Sequence, residues 1–437
     1  MSGPATTPVA RTAVTALAFM CALATLNFID RMALAAFLPA IKREFLLTDS
    51  RAAMLSASFA LMYAACAVPL GRLADKYPRR AIISLTAVLW SVATAACGFA
   101  QSYWSLFAGR IAVAMGEAGY IPASFSMISD LFPPARRNIA VGVLGAAVTV
   151  GGALGIILGG GLASAYGWRI AFLIIGVPGL LVAFFAGRFL REPERGATDS
   201  PGVTPSRPES LALDSHGLGA ALASLARNRV FIWIFLTSAC NAYCHLGIVQ
   251  WLPSYFERTQ HFSMAVIGAA FGTTFGLGLG LGGLIGGILA AKLARRHVFD
   301  SLRLCIVSNA LLVPGFLIVL WTANPRLAIG ASLASTFLGA LGHAAMSAGA
   351  QNAVAPHLRG LAQGVLMIGA SIVGMGAGPL IVGLLSDAFA GTLGSAQGLR
   401  YALSMSLGIF AFAGLSGWQA YRTGREVFHS RGLQWTS

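Results

Sequence analysis

Along its length the chain alternates long apolar runs with short polar breaks. Runs of eighteen to twenty-eight residues begin near Ala13, Met54, Ala81, Trp104, Ile139, Ile170, Phe231, Ala265, Leu304, Leu327, Leu361 and Ala402. Each is long enough to cross ~30 Å of hydrocarbon at ~1.5 Å per helical residue. The pattern predicts an all-α membrane protein with twelve transmembrane helices. Between the sixth and seventh runs, a polar stretch from Arg191 to Arg229 carries Pro193, Gly196, Pro201, Gly202, Pro205 and Pro208. This punctuation predicts a linker with one short amphipathic helix. The expected organisation is a six-helix bundle over 1–190, a cytoplasmic linker over 191–229, and a second six-helix bundle with its tail over 230–437.

The two sets of six runs repeat one another. Asn27-Phe-Ile-Asp30-Arg31 with Leu38-Pro39 matches Asn241-Ala-Tyr-Cys244-His245 with Leu252-Pro253, and Gly71 to Arg80 matches Gly287 to Arg296. Gly116-Glu117-Ala118 matches Gly342-His343-Ala344, and Gly151-xxx-Gly155 matches Gly374-xxx-Gly378. Four matches in one order predict two bundles related by a pseudo-two-fold axis, as transporters often are. Small residues at Gly151, Gly155 and Gly159, and at Gly272, Gly276 and Gly280, predict faces for close helix contact. Neither set has the strand context or the Lys-Ser/Thr ending of a phosphate loop, so ATP coupling is not expected.

Composition agrees with the pattern. Of 437 residues, 57% are apolar and only 10% charged, against about 25% charged in ordinary soluble chains. The net charge of +15 would fit nucleic acid if the basic residues clustered on one surface. Instead, with both termini in the cytoplasm, 21 of the 30 lysines and arginines fall on that side and seven outside. The surplus is topological, and no nucleic-acid partner is expected. The six cysteines lie in or beside apolar runs without CxxC spacing, so they read as small hydrophobes and no metal site is expected. No Ser/His/Asp set appears either, and the chain is not expected to be an enzyme or to hold a cofactor.

Charges at membrane depth are costly, so those present are candidates for function. They are Asp30 and Arg31 in the first run and Arg110 and Glu117 in the fourth. Asp30 and Arg31 diverge by ~100° on a helix and cannot pair closely with each other. Arg110 and Glu117 lie two turns apart on one face, with Tyr120 a turn beyond, and Asn27 shares the face of Arg31. Two readings stay open: a proton switch using Asp30 and Glu117, or static ion pairs that fix packing. Arg31 and Arg110 suit an anionic substrate group, and Asn27 and Tyr120 are candidates for substrate contact beside them. In the second half the equivalent positions are neutral or histidine. Asn241, His245, His343 and Ser347 are the candidates there for substrate contact. Gly71, Asp75, Arg79 and Arg80, with Asp130 as a candidate acidic partner, read as a gate at the cytoplasmic end.

The Gly71–Arg80 loop resembles the signature loop of the major facilitator superfamily. Arg110 with Gly116, and the glycine-rich fifth run, resemble its fourth- and fifth-helix motifs. Within it the chain is similar to the Spinster-like group. The resemblance is carried by Asn27–Arg31, Gly116–Ala118, Asp130–Pro133, Trp168-Arg169-x-Ala171-Phe172, Pro178–Leu180 and Arg191–Gly196. It implies alternating access, proton roles for Asp30 and Glu117, a gate role for Asp75, and an amphipathic substrate such as a lysophospholipid or sphingoid. Anion:cation symporters share Asp-Arg in helix 1 and Glu-Ala-Gly in helix 4, which keeps a symporter of small organic anions open as an alternative. An uncoupled facilitator is the other. The expected setting is a bacterial-type inner membrane, with a monomer meeting small-molecule substrate, protons and lipid bilayer.

Overall fold

The computed structural model describes residues 8–195, 217–295, 297–355 and 358–430, so most of the linker lies outside the described residues. The side chain of Asp75 also lies outside them. The first half comprises α1 (Pro8–Glu44), α2 (Asp49–Lys76), α3 (Arg79–Cys97), α4 (Tyr103–Glu117), α5 (Tyr120–Leu131) and α6 (Pro134–Phe189). A short helix α7 (Gly217–Arg227) precedes α8 (Arg229–Gln260), α9 (Met264–Ala294), α10 (Arg303–Trp321) and α11 (Pro325–Leu341). The last are α12 (His343–Ala353), α13 (Arg359–Gly369), α14 (Gly378–Leu393), α15 (Ser395–Ser406) and α16 (Gly408–Ser430).

Among the described residues, eleven helices are long and apolar enough to cross a membrane. One of them, α6, runs 56 residues through Gly167, whose φ of 78° and ψ of 161° break the helix into two spans. Counting both gives twelve. The breaks between helices follow local chemistry. Ser102 and Ser105 form a reciprocal cap at the start of α4, and Asn228 accepts from the Phe231 N–H to begin α8. Asn324 accepts from the Arg326 and Leu327 N–H groups, with Pro325 opening α11.

The chain packs as two units, and the first comprises Met1–Leu46, Ser58–Pro205 and Met264–Gly272. The second comprises Leu47–Ala57, Ser206–Ser263 and Thr273–Ser437. The start of α2 groups with the second unit for a visible reason. The backbone N–H groups of Asp49 and Ser50 donate to the Asp387 carboxylate, each at 2.8 Å. The Asp49 carboxylate takes Arg258 in a two-pronged grip at 2.7 and 2.8 Å and accepts from Ser386 Oγ at 2.7 Å.

The internal repeat has a packing counterpart in each unit. In the first, a Cβ on Gly155 would stand 2.7 Å from the Ile29 carbonyl, and Gly151 lies as tightly on Thr25 of α1. In the second, a Cβ on Gly374 would meet Ala242 at 2.8 Å, and one on Gly378 the Tyr243 carbonyl at 2.9 Å, both in α8. The same glycine pair therefore admits the first helix of each unit to backbone contact. In α9 the expected stripe is only partly right. Gly272 packs on α6, but a Cβ on Gly280 would meet open space. Gly278, Gly282 and Gly286 are the residues that press on α11, one helical face away.

Candidate functional site

The fourth span does not run through as one helix. It stops at Glu117 and restarts at Tyr120, placing Glu117 at an interruption. Gly116 supplies the closeness there, since a Cβ would stand 2.6 Å from the Trp90 N of α3. The tenth span breaks at the matching point, between Leu341 and His343, where Gly342 lies against Cys305 of α10.

Inside the first unit, four membrane-depth charges meet as two crossed ion pairs. Arg31 Nε donates to Glu117 Oε2 at 2.5 Å, with side chains 7% and 0% exposed. Arg110 Nη1 reaches both oxygens of Asp30 at 3.4 Å, the side chains being 2% and 3% exposed. Neighbours in sequence or on one helix face thus do not pair; each acid takes its arginine from the other helix. Two opposite charges in each pair leave the cluster neutral when both acids are ionised. Removing one partner of a buried pair would strand a charge at a cost of about 3–5 kcal/mol.

The pairs are incompletely satisfied. Arg31 Nη2, Arg110 Nε and Glu117 Oε1 are buried without a hydrogen-bond partner among the described residues. Asn27, one turn before Arg31 and fully buried, has neither amide atom bonded. Such groups cost free energy unless water or a ligand meets them. Three aromatic rings surround Arg31: its Cζ lies 5.1 Å from the Phe28 centroid, 5.2 Å from Phe59 and 4.5 Å from Tyr63. Phe59 also lies 5.0 Å from Arg110 Cζ. Phe59 and Tyr63, one turn apart on α2, carry no charge and so escape a search for membrane-depth charges; their i, i+4 aromatic spacing was the available signal. Tyr120, by contrast, is engaged elsewhere. Its hydroxyl donates to the Met20 carbonyl and its ring stands edge-on to Trp90.

In the second unit His245 and His343 lie within electrostatic reach of each other, and Asn241 and Ser347 bond separately. Asn241 donates to the Thr237 carbonyl at 2.9 Å within its own helix. His245 stacks against Phe275 at 6.0 Å, with its Nε2 buried and unbonded among the described residues. His343 is exposed at the start of α12, and Ser347 Oγ donates to Gln363 Oε1 at 3.1 Å.

The Gly71–Arg80 region ends on a buried hub. Arg79 is 1% exposed; it pairs with Asp130 and, through Nε, with Glu192 Oε1 at 2.8 Å. It also donates to the Pro193 carbonyl at 2.9 Å and to Ser126. The Arg80 side chain is exposed, but its backbone N–H donates to Glu192 at 2.9 Å. Glu192 was not among the sequence candidates, although it lies in the Arg191–Gly196 segment. Burial alone would raise its carboxyl pKa, but the Arg80 N–H and the Arg79 guanidinium hold it below the ordinary carboxylate value. Gly71 faces Pro122 of α5 at ordinary contact distance.

Comparison with known proteins places these features. The Major Facilitator Superfamily profile matches residues 20–379. The sphingosine-1-phosphate transporter SPNS2 of Danio rerio is 31% identical over 238 residues, 54% of this chain and 46% of that protein. The chain thus spans about half the length of the curated Spinster relatives it matches. A hexuronate transporter of Bacillus subtilis is 25% identical over 401 residues, 89% of this chain and 92% of that protein. Among solved structures, a bacterial homologue of the human lysosomal transporter Spinster, in an inward-facing and unoccupied conformation, superposes with a TM-score of 0.84. It has 26% sequence identity and covers 97% of this chain and 98% of its own. With a profile covering most of its length and a twelve-span fold shared with solved transporters, the chain is a multi-pass membrane protein belonging to the Major Facilitator Superfamily.

Proposed function

We propose that the chain is a proton-coupled secondary transporter working by alternating access, not an enzyme, that moves an amphipathic, lipid-like anion. The crossed pairs Asp30–Arg110 and Arg31–Glu117 carry this reading. Protonating either acid breaks the neutrality of the cluster and releases one guanidinium. An anionic substrate group can then replace the lost carboxylate, so proton and anion are favoured together. Arg31 Nη2 and Asn27, both buried and unbonded, offer donors for that anion. Asp30 and Glu117 are assigned the proton and Arg31, Arg110 and Asn27 the head group, while Tyr120 supports α1 through the Met20 carbonyl. Asn241, His245, His343 and Ser347 in the second unit meet the substrate body. Gly71, Asp75, Arg79, Arg80 and Asp130 form the gate, in a monomer whose termini both lie in the cytoplasm of a bacterial-type inner membrane.

The sphingosine-1-phosphate transporter among the relatives supports a lipid-like substrate. The hexuronate transporter, matched over nearly its whole length, favours a second reading, a symporter of small organic anions. Proteoliposomes offered lysophospholipid, sphingoid phosphate and hexuronate in turn separate the two, with internal pH followed by a trapped dye. Proton entry with a lipid substrate and its loss in Asp30→Asn are expected. Accumulation of hexuronate alone selects the second reading, and accumulation indifferent to the pH gradient refutes proton coupling.

A further inference from the structure

The guanidinium of Arg31 has a second set of partners besides Glu117. Phe28 on its own helix and Phe59 and Tyr63 on α2 bring three ring centroids within 4.5–5.2 Å of its Cζ. Phe59 is 1% exposed, and its ring stacks on Tyr63 with centroids 6.1 Å apart. Arg110, the other guanidinium of the cluster, has one such ring, Phe59 at 5.0 Å. The enclosure is therefore lopsided: three rings around the arginine of one pair, one shared ring beside the arginine of the other.

A ring face attracts a cation through its quadrupole, and does so most strongly where water is excluded. It attracts a lone guanidinium more than a salt-bridged one, because the paired carboxylate is repelled by the same ring face. When Glu117 takes a proton, Arg31 loses its counter-ion but stays buried, a state that is costly in hydrocarbon. The rings reduce that cost selectively. Among the described residues, the other charged or titratable side chains around the cluster are Asp30 on α1, Arg110 on α4, the Tyr63 phenol on α2 and, beside Arg110 and Asp30, the Cys97 thiol on α3. The stretch of α6 packed along α1, from residue 139 to 166, contains no charged residue, and Tyr120 on α5 is bonded to the Met20 carbonyl.

We propose that Phe28, Phe59 and Tyr63 form an aromatic cage that holds Arg31 when Glu117 is protonated, and so set the pH at which Glu117 exchanges its proton. The cage consists of positioning residues: it acts on the proton through Arg31. Asp30 pairs with Arg110, which has a single ring, so the cage acts on the Arg31–Glu117 pair. This rests on the proton-coupled reading above.

The test needs no substrate. Infrared spectra of the purified full-length protein in detergent are recorded across pH, and the protonated-carboxyl band of Glu117 is identified by its loss in Glu117→Gln. Tyr63→Leu and Phe28→Leu are expected to lower the proton affinity of Glu117 roughly three- to thirtyfold, moving the band's midpoint to more acid pH by about 0.5–1.5 units. Tyr63→Phe, which keeps the ring, is expected to leave the midpoint within a few tenths of a unit. A thermal melt of each variant confirms that it is folded, and Phe28→Leu serves where Tyr63→Leu is not. An unshifted midpoint in the folded leucine variants overturns the cage alone. So does a Tyr63→Phe shift as large as that of Tyr63→Leu, which would place the effect in the hydroxyl. Absence of any Glu117 band at every pH overturns the cage together with the assignment of the proton to Glu117, while the proton-coupled reading then stands or falls on the Asp30→Asn flux assay.

Discussion

Replacing Arg79 by alanine should loosen the junction between the first unit and the linker. The side chain is 1% exposed and binds two carboxylates, Asp130 at 11% and Glu192 at 28% exposure. It also anchors the Pro193 carbonyl and the Ser126 side chain. Deleting one partner of a fully buried pair costs about 3–5 kcal/mol. Both acids here can recruit some water, so a loss of about 2–3 kcal/mol is the reasoned figure. At about 2–4 °C per kcal/mol for a unit of this size, the melting temperature should fall by roughly 4–12 °C. Tryptophan fluorescence during heating in detergent reads this directly. Arg79→Lys keeps the charge but lacks the planar fork needed to reach both carboxylates and a carbonyl, so it should recover less than half the loss. Trypsin supplies an independent reading. Arg195 is held by the Ala74 and Tyr77 carbonyls, in the segment that Arg79 anchors, and cleavage there should accelerate in the alanine variant. A melt within a degree of wild type together with unchanged cleavage would show that the hub contributes nothing, and would refute the reasoning.

The same hub makes a pH prediction. Glu192 has its pKa lowered by folding, so its stabilising contribution is complete above the ordinary carboxylate pKa and is lost as pH falls through the depressed value. Wild-type melting temperature should therefore step down on acidification below about pH 4.5, and the step should shrink in Glu192→Gln. Gly155→Leu should push α1, and with it Asp30 and Arg31, off α6, because a Cβ already falls 2.7 Å from the Ile29 carbonyl. Transport should be lost, whereas Gly161→Leu, where a Cβ meets nothing, should remain active in the same flux assay. Gly167→Ala forces a side chain into φ 78° and ψ 161°, a region open essentially to glycine alone, and should cost about 1–3 kcal/mol in the melt; no change there would mean the bend relaxes freely. Asp49→Asn weakens the two-pronged grip of Arg258 and should cost about 1–3 kcal/mol, again read by melting.

Much of this protein was legible in one dimension. The twelve spans follow from run length alone, because hydrocarbon forces every backbone polar group into an internal hydrogen bond and fixes the length of a crossing helix. The repeat was legible too. Gly151 and Gly155 match Gly374 and Gly378 in sequence, and each pair admits α1 or α8 to backbone contact. Asp30, Arg31, Arg110 and Glu117 stand out as candidates because charge at membrane depth is rare. Their partners could not. Arg110 and Glu117 share a helical face, yet each pairs with a residue of α1, since helical periodicity orders neighbours along one helix and is silent on which helix lies beside it. The same limit hid Glu192 as a partner of Arg79, the engagement of Tyr120 with Met20, and the shift of the α9 contact face from Gly280 to Gly278, Gly282 and Gly286. Sequence determined which side chains enter the membrane, through the cost of placing them there; tertiary packing decided which of them meet, through backbone approach that no local pattern encodes.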